Sequence, residues 1–128
     1  MAASNSSTLQ WSDSEIARVE ARPCTDVWII FSAASTGNGQ GYVKGVTLKC
    51  HGVTSGADTH LHDWVGGIRH GQVLTPSGKQ ASMPLPGIIK GPLHLSFTLM
   101  NGTEIHIDAK ELTAILPENP DWTESLAC

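Results

Sequence analysis

The feature that most constrains the fold is a strict alternation of apolar and polar residues on both sides of one turn. Apolar side chains occupy every second position from Leu93 to Leu99 and again from Ile105 to Ala109. The turn signal Asn101-Gly102 lies between the two runs. A period of two around such a turn predicts an antiparallel β-hairpin with one buried face.

The register of this hairpin follows from the length of its loop. A two-residue loop would set Phe97 opposite His106 and place an apolar and a polar side chain on one face, which a buried face forbids. A three-residue loop starting at Met100 pairs Phe97 with Ile105 and gives Gly102 the left-handed position of a type I turn with a G1 bulge. We therefore predict this loop. On the polar face it sets His94 across from Asp108, Ser96 across from His106, and Thr98 across from Glu104.

Composition indicates a globular chain that forms a single domain, residues 1–128. Hydrophobic residues make up 40% of the chain and charged residues 16%. The net charge of −4 argues against nonspecific nucleic-acid binding, which needs a basic surface. No apolar run approaches the roughly 18–20 residues that cross a bilayer, and the N-terminus lacks the pattern of a secretory signal. Cys24, Cys50 and Cys128 form no CxxC pair and are expected to be reduced. We predict a cytoplasmic protein with no membrane partner and no nucleic-acid partner.

The N-terminal part leaves one alternative open. Residues 1–9 are small and polar, and we expect them to be disordered. Residues 12–15 have the form of a helix capping box. The same residues could lead directly into a strand over 16–21, where Ala17, Val19 and Ala21 alternate with polar side chains. We favour the strand.

The rest of the chain is a series of short apolar runs separated by turn residues. Val27–Phe31 is apolar on both faces, which predicts a central strand and allows a homodimer through its outer face. Residues 75–91 are rich in proline and glycine, which predicts an edge segment. Further strands are expected at 42–50, 59–65 and 112–116, with a bend at Gly66-Gly67 and a short C-terminal helical turn from Asn119 onward that Trp122 docks. The pattern predicts an all-β fold, a small antiparallel barrel or sandwich of about seven to nine strands.

Two groups of residues are candidates for binding. On a strand, Asp58, His60 and His62 would share one face and could form a ligand set for a divalent transition metal; alternatively they line a solvated strand face. Trp64 is expected at the mouth of a pocket, where Arg69 and His70 could bind an anion.

The segment His60-Leu61-His62 resembles the first motif of the cupin family, whose members are single-domain β-barrels of similar length. Gly91-Pro92-Leu93-His94 is similar to the Gly-x-x-His of the family's second motif. The resemblance implies a metal centre in which His94 is a third ligand. The chain departs from the family where a Glu is expected, since Gly66 and Gly67 stand there, and Leu85-Pro86-Gly87 replaces the Pro-x-Gly.

The chain is also similar in general character to the small all-β accessory proteins that bacteria carry on integron gene cassettes. The similarity lies in the Met83–Gly87 segment and in Gly91-Pro92-Leu93 at the start of the hairpin. It implies a small protein that is often oligomeric, and it carries no activity with it.

No complete catalytic motif is present. The polar face of the hairpin places Ser96 near two histidines and Asp108, but the sequence lacks the loop signature that a serine nucleophile needs. We therefore predict a non-enzymatic binding or protein-interaction module for a small molecule or a protein. The alternative is a cupin-like metal-binding protein or metalloenzyme that uses His60 and His62.

Overall fold

The computed structural model describes residues 7–22, 26–36, 41–54, 64–117 and 121–123, which form strands and turns and contain no helix. These residues form ten strands: β1 (Ser7–Arg22), β2 (Asp26–Thr36), β3 (Tyr42–Lys44), β4 (Thr47–His51), β5 (Gly66–Thr75), β6 (Gly78–Gln80), β7 (Ser82–Leu85), β8 (Gly87–Leu99), β9 (Glu104–Ile115) and β10 (Asp121–Thr123).

Six of these strands close a barrel. The hydrogen-bonded order runs β2, β4, β9, β8, β5, β1, and β1 also pairs with β2, which completes the ring. Every pairing is antiparallel. Four short strands extend the barrel: β3 beside β2, β10 beside β3, β7 beside β1, and β6 beside β5. The structure confirms the predicted small antiparallel barrel.

The hairpin of β8 and β9 has the predicted register. Phe97 pairs with Ile105, and Leu95 pairs with Ile107. The Thr103 carbonyl accepts a hydrogen bond of 2.8 Å from the Leu99 N–H, and Gly102 has a φ of +91° in the loop. The Cβ-free backbone of glycine tolerates this left-handed conformation, so the three-residue loop is confirmed.

The barrel interior is filled by the alternating side chains of these strands. Phe97, Leu95 and Ile107 are fully buried, and the Trp11 ring lies 5.4 Å from the Phe97 ring between centroids. Gly71 of β5 lies opposite Phe97, where a Cβ atom would collide with the Phe97 ring. This glycine therefore leaves the space that the Phe97 ring occupies.

The N-terminal strand is longer than the sequence predicts. β1 begins at Ser7, and residues 7–10 pair with β7, so the expected disorder is wrong for residues 7–9. Leu9 is fully buried, and burial of this side chain stabilises the pairing. Residues 12–15 belong to the strand and form no helix, which confirms the interpretation that we favour.

Three local predictions require correction. Gly66 and Gly67 start β5 and form no bend there, because their backbone pairs with Ile16 and Glu15 of β1. The predicted 42–50 strand is interrupted at Gly45, whose φ is +83°. Asp121–Thr123 is a strand paired with β3, so the predicted helical turn is wrong there. A helix of one or two turns is marginal in water, whereas β3 offers a hydrogen-bonding edge.

The central strand prediction holds for β2, which pairs with β1, β3 and β4. Its inward side chains Val27 and Ile29 are buried, while Trp28 and Ile30 face outward and are half-buried. The Lys49 ammonium lies 4.2 Å from the centre of the Trp28 ring. The segment with Met83 and Leu85 forms β7 at one end of the strand order, as the prolines predict.

Candidate functional site

Two histidines and two carboxylates form a continuous chain on the outer face of the β8–β9 hairpin. Leu93, Leu95 and Phe97 point into the core, so the side chains between them on β8 point outward. His94 is the β8 member of this chain, and Glu104, His106 and Asp108 are its β9 members. We call these four residues the carboxylate–histidine chain.

Each member of the chain contacts the next through polar atoms. His94 Nδ1 lies 2.7 Å from Asp108 Oδ1, and His94 Nε2 lies 3.2 Å from His106 Nδ1. His106 Nε2 lies 3.1 Å from Glu104 Oε1. The two ring planes make an angle of 27°, and the ring centroids lie 5.4 Å apart. Both imidazoles thus have a carboxylate on the outer side and the other imidazole on the inner side.

The chemistry of these groups fixes how the hydrogen bonds run. An ionised carboxylate only accepts, so His94 Nδ1–H donates to Asp108 and His106 Nε2–H donates to Glu104. The contact between the rings is a hydrogen bond only when one of the two facing nitrogens carries a proton and the other does not. The inner side of the chain therefore holds two imidazole nitrogens that face each other at 3.2 Å.

A groove of about 410 Å³ lies at the Asp108 end of this chain. We call it the His94 groove. Its lining is mostly apolar, and its polar side chains come from four residues, His94, Asp108, Lys110 and Thr54. The remaining lining residues are Leu74, Pro76, Pro92, Leu93 and Ala109.

Local backbone features position the sides of the groove. The register of β8 against β9 shifts between Lys90 and Leu93, next to Pro92. On the opposite side, the Thr54 N–H donates a hydrogen bond of 2.8 Å to the Asp108 carbonyl, which holds the segment after β4 against β9. Leu74 of β5 pairs with His94, so its side chain lies beside the histidine.

A second groove of about 430 Å³ is built from the β5–β6 turn and the start of β8. Ile88, which is 54% exposed, lines this groove. We call it the Ile88 groove. It contains Lys90 but no histidine or carboxylate.

One of the four predicted metal ligands lies in a segment that the structure describes. Asp58, His60 and His62 lie outside the described residues, so this predicted set stays a prediction. His94 is described, and it contacts Asp108 and His106. Within the described part of the chain, no three histidine, cysteine or acidic side chains are arranged to hold one metal ion together.

The predicted ligand-binding residues lie away from both grooves. Trp64 is only 6% exposed and packs in the core, and its expected position at a pocket mouth stays a prediction. Arg69 is exposed, and its Nη2 donates a hydrogen bond of 3.4 Å to the Met100 carbonyl at the hairpin turn. His70 is exposed opposite Thr98. Binding of an anion by Arg69 and His70 stays a prediction.

His106, Glu104 and Lys110 are candidate site residues that sequence reasoning did not select. The signal for His106 was present in the hairpin register, which places it diagonal to His94 on one face. Diagonal neighbours on a sheet face lie within reach of long side chains. Lys110 gave no signal, since only the three-dimensional course of the chain brings it to the groove.

A second carboxylate–histidine contact lies at the edge of β2 and β4. His51 Nδ1 is 3.1 Å from Asp26 Oδ2, and both side chains are partly exposed. Beneath them, Cys50 is fully buried. Burial raises the pKa of the Cys50 thiol to about 12, and the negative charge of Asp26 adds to this effect. A thiol held neutral in this way is a poor nucleophile.

Comparison with protein-family models, with curated proteins and with solved structures finds no match to this chain. Within the residues that the structure describes, no helical segment has the length and hydropathy that crossing a bilayer requires. The His94 groove and the carboxylate–histidine chain are therefore the features that bear on function.

Proposed function

We propose that this chain is a non-enzymatic binding module, and that its ligand is a small neutral amphipathic molecule bound in the His94 groove. The observation that carries this proposal is the combination of apolar walls with a few polar side chains at one end. Ligand sites in proteins have this composition, and their volumes start at about 300 Å³. As part of the same proposal, the protein is located in the cytoplasm and forms a homo-oligomer through the outer face of Val27–Phe31.

The charges around the groove support a neutral ligand. Asp108 contributes a carboxylate and Lys110 an ammonium group to the same groove. A charged ligand group would be attracted by one of these side chains and repelled by the other. A hydroxyl or amide group can instead accept from Lys110 and donate to Asp108, while its hydrocarbon part contacts Leu74 and Pro92.

The test is a titration of isotope-labelled protein, followed by amide chemical shifts, with four probes that share one chain length: hexanol, hexanamide, hexanoate and hexylammonium. We expect saturable shifts at the Leu74, Leu93 and Ala109 amides, with the two neutral probes bound most tightly. Leu74→Ser removes apolar wall and should weaken binding. Ile88→Ser makes the same type of change in the Ile88 groove and should leave binding unchanged.

Three outcomes would contradict this proposal or a part of it. Shifts that concentrate around Ile88 and Lys90 would place the ligand in the other groove. Shifts that do not saturate for any probe would remove the His94 groove as a ligand site. Turnover of a probe would contradict the non-enzymatic part of the proposal.

The barrel fold together with the His60-Leu61-His62 spacing supports a second candidate, a cupin-like metal-binding protein or metalloenzyme. Its ligands would be His60 and His62, with Asp58 or His94 as a further ligand. Elemental analysis of protein purified without chelator tests it. Absence of bound metal, together with unchanged thermal stability after adding Ni²⁺, Zn²⁺, Mn²⁺ or Fe²⁺, would remove this candidate.

A further inference from the structure

The two inner nitrogens of the carboxylate–histidine chain are spaced like two ligands of one metal ion. His94 Nε2 and His106 Nδ1 face each other at 3.2 Å. Two nitrogen ligands bonded at about 2.0–2.1 Å to one tetrahedral zinc ion lie about 3.3–3.4 Å apart. The observed separation is therefore close to the one that a shared metal ion imposes.

The outer nitrogens of both rings are engaged as they are in metal-binding histidines. His94 Nδ1 contacts the Asp108 carboxylate and His106 Nε2 contacts the Glu104 carboxylate. A ligating histidine almost always donates its other N–H to such a group, which fixes the ring orientation and raises the basicity of the ligating nitrogen. Asp108 and Glu104 thereby turn the lone pairs of the two inner nitrogens toward each other.

Access and charge also suit a cation at this position. The side chains of His94 and His106 are 34% and 50% exposed, so an ion reaches them without opening the barrel. The two flanking carboxylates give the site negative charge. Since no third protein ligand of the described residues converges there, water would complete the coordination.

We infer that His94 and His106 chelate a divalent transition-metal ion of the class that prefers imidazole, such as Zn²⁺, Cu²⁺ or Ni²⁺, with His94 Nε2 and His106 Nδ1 as ligands. Imidazole nitrogen suits these metals, whereas Mg²⁺ and Ca²⁺ prefer oxygen ligands. The metal site shares His94 and Asp108 with the His94 groove, but His106 does not line that groove, so His106→Ala tests the metal site separately from the proposed ligand.

The test uses the full-length protein and calorimetric titration with Zn²⁺ alone, with Mg²⁺ as the ion that should not bind. Four variants of the chain are compared: His106→Ala, Asp108→Asn, His70→Ala, and the double variant His60→Ala/His62→Ala. Loss of an outer carboxylate typically lowers metal affinity by about 10–100-fold, so we expect Asp108→Asn to fall in this range and His106→Ala to lose more. His70→Ala removes an exposed histidine of β5 and should leave affinity unchanged.

The double variant separates this site from the set predicted in the 58–62 segment. Retained Zn²⁺ binding in His60→Ala/His62→Ala, together with its loss in His106→Ala, supports the inference. The reverse result overturns it. A second measurement uses the unmodified protein and follows the nitrogen chemical shifts of its histidine rings as Zn²⁺ is added. The signals of His94 Nε2 and His106 Nδ1 should change most. If these two signals stay unchanged at saturating Zn²⁺, the inference is wrong.

Discussion

At the scale of single residues, burial controls the chemistry of Cys50. Its thiol lies between β2 and β9, where its backbone partners are Val27 and Leu112. Because burial, and then the charge of Asp26, disfavour the thiolate, the pKa of this thiol rises to about 12 from an ordinary 9.0. The folded protein therefore keeps Cys50 protonated in a pH range where the unfolded chain releases its proton.

This difference predicts that stability falls with alkaline pH. The contribution of Cys50 is fully present below pH 9.0 and is lost as the pH rises toward about 12, because the unfolded state then binds fewer protons than the folded state. Urea unfolding at pH 8 and pH 10 should show a larger loss for the native sequence than for Cys50→Ala, by up to about 1.4 kcal/mol per pH unit. If both proteins lose the same stability between pH 8 and pH 10, the raised pKa of Cys50 is contradicted.

The same argument predicts the reactivity of the thiol. In a Cys24→Ser/Cys128→Ser background, Cys50 should react with iodoacetamide at pH 8 only in denaturant. Rapid alkylation of the folded protein would show that the thiol is accessible.

At the scale of elements, β1 is shaped by an irregularity around Asp13, whose φ is 71°. The pairing of β1 with β2 shifts register between Gln10 and Glu15, and Ser14 lies inside this shift. The Ser14 hydroxyl donates a hydrogen bond of 2.6 Å to the Gln10 carbonyl and accepts one of 2.8 Å from the Ser35 N–H. Ser14 is fully buried, so it replaces the backbone hydrogen bonds that the bulge removes.

We expect Ser14→Ala to destabilise the barrel by about 1–3 kcal/mol, because the Ser35 N–H would lose this partner in a buried position. Ser77→Ala is the matched control, since Ser77 lies exposed in the β5–β6 turn and should change stability by no more than about 0.5 kcal/mol. Urea unfolding of both variants measures the difference. Equal stability of Ser14→Ala and the unaltered chain would show that the hydroxyl does not bridge the strands.

The hairpin and β1 show what sequence patterns can and cannot predict. In the hairpin, the alternation of apolar and polar residues, the residues of the turn and the need for one buried face all require the same register. That register is the one observed. In β1 the pattern of Ala17, Val19 and Ala21 predicts one inward face, yet only Val19 of these three is buried. The last of three register shifts, between Ile16 and Arg18, takes Ala17 out of the alternation, and nothing in the local sequence indicates where a bulge falls.

The candidate site, too, is predictable from the sequence only in part. The contact of His94 with Asp108 is a cross-strand pair and was predictable from register. The His94 groove joins residues from β5, β8, β9 and the segment after β4, which only the closed barrel brings together. Asp63 and the Gly66-Gly67 pair on either side of Trp64 gave no indication that its large apolar ring is buried in the core.

At the scale of the whole molecule, the two ends of the chain contribute very differently to the barrel. In the described residues, β10 pairs with β3 alone, and both strands have three residues outside the closed ring. The start of β1 instead pairs with β7 and places Leu9, fully buried, against the core. Leu9 pairs with Met83 of β7, and Met83 and Leu85 are 1% and 2% exposed.

Two truncations test this asymmetry. Removing residues 118–128 should leave a cooperative urea transition with a free energy of unfolding within about 1 kcal/mol of the full chain, because the six barrel strands stay intact. Removing residues 1–10 deletes Leu9 and leaves β7 without this partner strand. We expect the free energy of unfolding to fall by at least as much as truncation of one buried leucine to alanine lowers it, which is about 2–5 kcal/mol. Far-UV circular dichroism follows both transitions, since Trp122 is absent from the first variant. If the two truncations lower stability equally, β10 contributes as much as the start of β1, and the six-stranded ring is not the stable unit.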